Sequence, residues 1–308
     1  MKAIRNFVKS HELLTFLGLT FVFPWVVDFI QIAASRELIP GSPPAALAGT
    51  LTILKLVFMP LGSAAIVTAI GRGSAGLREW FAPVFRWRAG WQWYAVALFS
   101  YPLSAFGAIV VSDAIIGRGS HLMEYFNARL DQMGAGLGLS GNSLWLLIPF
   151  LLIYGFILVP LIEETGWRGF AIPRLQEKHS ALYAAIVMGI VWAVWHLPNF
   201  FEPASPHYNM PFIGFLLNII SFSILLVWIY NNTNGSVWMT MMWHGSVIVG
   251  SIFFPAGIPG DTGDLLAFWL TVVASVAIAV VVVIVGGPKR LVRSRKLEEF
   301  IREAVITR

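Results

Sequence analysis

The 308-residue chain contains no cysteine. That absence excludes disulfides, thiolate zinc sites, iron–sulfur clusters and cysteine nucleophiles. Charge is scarce as well. Only 12% of the residues are Asp, Glu, Lys or Arg, against about 25% in a soluble globular domain. Six histidines are too few for a His-rich tract. No G-x-S-x-G elbow occurs. His11-Glu12 is followed by Leu-Leu-Thr, so the H-E-x-x-H zinc motif is absent too. What the chain has in abundance is apolar: 57% hydrophobic residues, with 13 Trp and 23 Phe. This balance excludes an ordinary soluble enzyme, a disordered chain and a nucleic-acid binder.

A helix that crosses a bilayer needs about 20 mostly apolar residues. Eight such stretches are predicted, at 12–33, 44–70, 91–112, 143–164, 181–198, 211–230, 236–254 and 265–286. A β-barrel would instead show alternating segments of about 10 residues. Runs such as Val272 to Val285 are continuously apolar. The predicted fold class is therefore all-α, a polytopic integral membrane protein of about eight transmembrane helices. The basic residues sort by loop. Seventeen of the 21 fall in the N-terminal tail, the 71–90 loop, the 165–180 segment and the C-terminal tail. With eight spans these all lie on one side, and the positive-inside rule makes that side, with both termini, cytoplasmic. The formal charge of +5 is thus topology rather than a docking patch. The basic tail after Pro288 is also expected to touch anionic membrane lipid. Three basic residues precede the first apolar run, as in a signal peptide. Asp28 and the length of that run favour an uncleaved span. The Gly134–Gly141 stretch is expected to be a flexible outer loop, since no G-K-[ST] follows it. The chain divides into 1–142, N-terminal spans; 143–254, the candidate core; and 255–308, the last span and basic tail.

Ionisable residues inside spans are costly, so each is a candidate for function. Asp28 and Lys55 are read as a mutual pair or as snorkelling side chains. Asp28 is taken as the only aspartate clearly within a span. The concentrated signal is Leu161–Gly169, L-I-E-E-T-G-W-R-G, together with His196 and His244. Glu164 and Arg168 are four residues apart, so they stack on one helix face and can pair. Glu163 points about 100° away and is free to face the protein interior. Around a turn near Lys178–Ala181, Glu163 and His196 each stand about 16 residues away, roughly 25 Å at 1.5 Å per residue. For His244 to join them, that hairpin must project further into the cytoplasm. Taken singly, each residue is as well read as an interfacial charge or a satisfied interhelical hydrogen bond. Taken together, on three helices at compatible depths, they point to chemistry. A buried Glu beside a His can activate water as general base. A second His can donate to the oxyanion of a tetrahedral intermediate. The same residues, Glu163, His196 and His244, could instead hold Zn2+ and leave a position open for water.

These motifs resemble the CPBP intramembrane proteases, the group of the type II CAAX prenyl endopeptidases and the Abi bacteriocin-processing or immunity proteins. The family's E-E-x-x-x-R is here Glu163, Glu164 and Arg168. Its F-x-x-x-H is Trp192 to His196, with Trp for Phe, and its last H-x-x-x-N begins at His244. The resemblance covers about Ser143 to Gly250. It implies a peptidase in which Glu163 activates water, His196 orients it and His244 stabilises the oxyanion, with Glu164 and Arg168 supporting and no cofactor. It also implies a peptide or membrane-protein substrate. In a bacterial cytoplasmic membrane that substrate is expected to be unmodified rather than prenylated. One departure stands out. Four residues after His244 the family's Asn is replaced by Ile248, which cannot donate a hydrogen bond. Ser246, Asn218 or a backbone N–H would have to substitute. Trp192 retains an aromatic wall, lines a groove or simply packs, and its N–H needs a partner. His121 and His207 fall in outer loops and His179 at a cytoplasmic turn, all expected to be solvated. Two other functions remain open: a non-catalytic immunity or scaffold protein, which Ile248 favours, and a proton-coupled transporter, for which no internal repeat is seen.

Overall fold

The computed structural model describes residues 2–39, 45–117, 122–135, 138–203, 205–254, 256 and 265–292. Among them there are helices and turns and no strand. The helices are α1 (Lys2–Ser10), α2 (Glu12–Ser35), α3 (Ala45–Val57), α4 (Pro60–Phe81), α5 (Trp91–Ile116) and α6 (Leu122–Ala135). They continue with α7 (Leu147–Ile153), α8 (Val159–Gly166), α9 (Ile172–Gln176), α10 (Ala181–Trp195), α11 (Phe212–Asn232), α12 (Val237–Phe253) and α13 (Leu265–Gly286). This is an all-α, multi-pass membrane protein. Five helical runs are long and apolar enough to cross a bilayer: α2, α5, the continuous run Leu147–Gln176, α11 and α13.

Local chemistry explains the breaks. Residues 49–57 and the helix that starts at Pro60 form a bent pair at 58°. The predicted span 44–70 is therefore broken, because Pro60 has no N–H to continue the preceding helix. If the pair is one span, the long spans number six. Two further apolar helices, α10 and α12, have 15 and 17 residues. At 1.5 Å per residue α10 is about 22 Å long, short of the roughly 30 Å hydrocarbon core. Each has a serine cap. Ser180 Oγ accepts from the Tyr183 N–H and Ser236 Oγ from the Met239 N–H. The predicted 143–164 span runs on to Gln176, with one-turn π segments at Tyr154–Leu158 and Trp167–Ala171 on either side of α8. Such π turns commonly mark functional positions in helices.

The core gathers α5, α8, α10, α11, α12 and α13. α10 packs on α11, α12 on α5 and α8, and α11 on α13. Lys55 does pair with Asp28. A second aspartate belongs with the buried groups, however. Asp113 on α5 is buried, one residue past the predicted end of that span. The tryptophans also depart from expectation. Trp87, Trp91 and Trp145 are exposed, as interfacial anchors should be, but Trp167, Trp192 and Trp243 are buried in the core. The Gly134–Gly141 stretch lies only partly within the described residues, and His121 and the chain after Val292 lie outside them.

Candidate active site

The Glu163-Glu164 pair sits on α8, with Glu163 5% exposed and Glu164 fully buried. Helical spacing sends the two carboxylates to different partners. Arg168 Nη1 donates to Glu164 Oε1 at 2.9 Å, and both side chains are buried. His244 Nδ1 meets the same oxygen at 2.9 Å. Glu163 turns the other way. Its Oε2 accepts a 2.7 Å hydrogen bond from the Trp192 indole N–H.

Trp192 is the hub of the site. Besides that bond, the Arg168 guanidinium lies over its ring at 4.4 Å, and the His244 ring stands edge-on to it at 5.3 Å. Its carbonyl oxygen meets His196 Nδ1 at 2.8 Å. The partner that the Trp192 N–H requires is thus the candidate base itself. The carbonyl contact decides the His196 tautomer. A carbonyl can only accept, so His196 carries a proton on Nδ1. Glu164 Oε1 accepts from Arg168 Nη1 and, with the proton on Nδ1, from His244.

Glycine brings α12 close enough for this contact. A Cβ on Gly245 would lie 2.7 Å from Phe156 Cα and 2.9 Å from the Gly155 carbonyl oxygen. Small residues at such crossings let helix backbones approach in membranes. Behind the site, a Cβ on Gly166 would meet Pro60 at 2.4 Å, which fixes α8 against the start of α4.

Glu163, Trp192, His196, Asn218 and His244 all line one cavity of about 570 Å³. Ile248 forms part of its apolar wall. Glu164 and Arg168 sit behind His244 rather than on the cavity surface. Ser246 does not face the cavity. It is buried, and its hydroxyl donates to the Trp243 carbonyl at 2.7 Å. Among the described residues no three His, Asp or Glu side chains are spaced to hold a metal ion. The zinc set Glu163, His196 and His244 therefore does not fit this arrangement.

His207 corrects the sequence reading. It is only partly exposed and lines the same cavity, with its ring 5.8 Å from His196 and 5.1 Å from Phe215. Burial, with His196 alongside, pushes its pKa down to about 3. A histidine in a Pro-bounded loop carries no helical signal, so its spacing could not reveal this position. His179 is exposed, as expected, and packs against Tyr183.

The three motif segments, 163–168, 192–196 and 244, are inside the stretch that known proteins share. A family model described as Rce1-like, type II CAAX prenyl endopeptidase Rce1-like, matches residues 144–250. Over that stretch, which is less than half of its length, the chain is similar to the type II CAAX prenyl endopeptidases. Its similar proteins include CAAX prenyl protease 2 of Methanococcus maripaludis, 29% identical over 125 residues, 39% of this chain and 45% of that protein. They also include lysostaphin resistance protein A of Staphylococcus haemolyticus, 23% identical over 150 residues, 48% of this chain and 38% of that protein. The Staphylococcus aureus protein of the same name is 26% identical over 154 residues, 48% of this chain and 35% of that protein. The match spans less than half the length of each relative. The CPBP stretch ends within α12, so α1 to α6 and α13 lie outside it.

Proposed function

We propose that this chain is a CAAX-protease-like intramembrane peptidase that hydrolyses a peptide bond in a membrane-associated peptide or protein. The observation that carries this reading is the placement of Glu163, His196 and His244 on one mostly apolar cavity. The CPBP match and the archaeal CAAX prenyl protease support it. A water held between Glu163 and the His196 Nε2 lone pair loses a proton to the Glu163 carboxylate as its oxygen attacks the scissile carbonyl carbon. The C=O electrons move to oxygen, giving a tetrahedral oxyanion. In its imidazolium form His244 offers Nε2–H to that oxygen. Collapse breaks the C–N bond, and Glu163 returns its proton to the leaving amine. No step is assigned to a metal.

A second reading, a non-catalytic immunity or scaffold protein that binds a peptide in the same cavity, is favoured by two facts. Ile248 removes a donor, and two of the relatives are lysostaphin resistance proteins. One assay separates the readings: cleavage of quenched fluorescent peptides by the detergent-purified protein. Glu163→Gln keeps a hydrogen-bond acceptor for Trp192 but removes the base. It is expected to lower kcat by about 10²–10⁴ with the thermal unfolding midpoint unchanged. Equal cleavage by both proteins, or none by either, overturns the peptidase reading.

A further inference from the structure

The oxyanion of the proposed reaction needs more than one donor, and position 248 supplies none. We infer that the carboxamide of Asn218 on α11 donates to the scissile carbonyl oxygen. The inference rests on the peptidase reading and names a group that reading lacks.

Most of the donors close to Glu163 and His244 are already committed. The Trp192 N–H is committed to Glu163 at 2.7 Å. The Trp243 N–H donates to Ser100 Oγ at 2.9 Å. Ser251 donates to the Ile248 carbonyl at 2.9 Å. His196 Nδ1–H is held by the Trp192 carbonyl. Ser246 is turned into its own helix. Backbone N–H groups of α12 near His244 are used within that helix. Asn218 is different. It is 6% exposed and lines the cavity, and among the described residues neither its buried carboxamide oxygen nor its NH₂, the group that can donate, makes a hydrogen bond. Leaving a buried carboxamide unsatisfied costs stability, so such a group marks a position kept for another purpose.

Its placement suits that purpose. Phe215, Asn218, Ile219 and Phe222 recur at helical spacing and share the cavity-facing side of α11. Phe215 packs edge-on to His196 at 5.5 Å, and Phe222 packs on Trp243, the neighbour of His244, at 5.0 Å. Asn218 therefore lies one turn from each, between the two histidine neighbourhoods. Its NH₂ carries two protons, and its charge is zero, so it is a donor that needs no counter-ion in an apolar wall. The rival donors are the hydroxyl of Tyr101, buried at the cavity, and the side chains of Tyr154 and Asn199, which also line it.

The test compares wild type with Asn218→Ala, Asn218→Leu, Tyr101→Phe and Glu163→Gln. The readouts are kcat, KM and the Kd of a phosphinate peptide, whose tetrahedral P–O group mimics the intermediate. Asn218→Ala and the volume-retaining Asn218→Leu are expected to lower kcat by about 10²–10³. They should weaken phosphinate binding by the same factor, leave KM within threefold and leave the unfolding midpoint near that of wild type. Tyr101→Phe should stay within threefold of wild type. Full activity in both Asn218 variants, or a loss confined to Tyr101→Phe, overturns the assignment while the peptidase reading stands. Glu163→Gln as active as wild type overturns both.

Discussion

Arg168 is a buried charge. It is 1% exposed, its Nη1 meets Glu164 and its Nε has no partner among the described residues. Removing one member of a buried ion pair strands the other charge, which typically costs about 3–5 kcal/mol. Arg168→Met is therefore expected to destabilise the protein by about that amount, read by denaturant unfolding in detergent micelles. A change under about 1 kcal/mol, the range of exposed pairs, would show that Glu164 is not ionised there. The two adjacent glutamates thus separate by readout: Glu163 by rate, Glu164 and its arginine by stability. At this scale the sequence was half legible. The i, i+4 spacing predicts the Glu164–Arg168 pair and the divergence of Glu163. Nothing local predicts that His244, 80 positions from Glu164, joins that pair.

At the scale of elements, the approach of α12 to the π turn before α8 sets the geometry. A methyl at Gly245 meets backbone atoms, which cannot move aside as a side chain can. Gly245→Ala is expected to cost about 1–3 kcal/mol by overpacking. It should also lower kcat, because pushing α12 away stretches the His244–Glu164 contact. Thermal unfolding and the peptide assay check this together. Stability and rate both unchanged would mean that the helices tolerate a wider spacing. The short helices matter here as well. α10 ends at Trp195, and Leu197–Phe200 turns through a 3₁₀ segment beside the cavity. Irregular backbone in a membrane protein is tolerated where it lines a cavity, and His196, Asn199 and His207 line this one.

At the scale of the whole molecule, the basic residues predict an orientation. The absence of native cysteine makes it directly measurable. Lys178 and Asn209 are both exposed, at opposite ends of the α10 hairpin. In intact cells a membrane-impermeant maleimide is expected to label Asn209→Cys and to spare Lys178→Cys until the membrane is permeabilised. The reverse pattern would place the termini outside.

Composition and hydropathy alone determined that this is a helical, multi-pass membrane protein, since continuous apolar runs in lipid must satisfy their backbone internally. Periodicity alone determined which glutamate could face a cavity. Only the tertiary structure decided that Trp192 joins both carboxylate neighbourhoods, that Ser246 is turned away while Asn218 is not, and that His207 is drawn in beside His196. Those outcomes depend on how closely separate helices pack and where a loop folds back. Such distances are set between segments far apart in the chain, so no local pattern contains them.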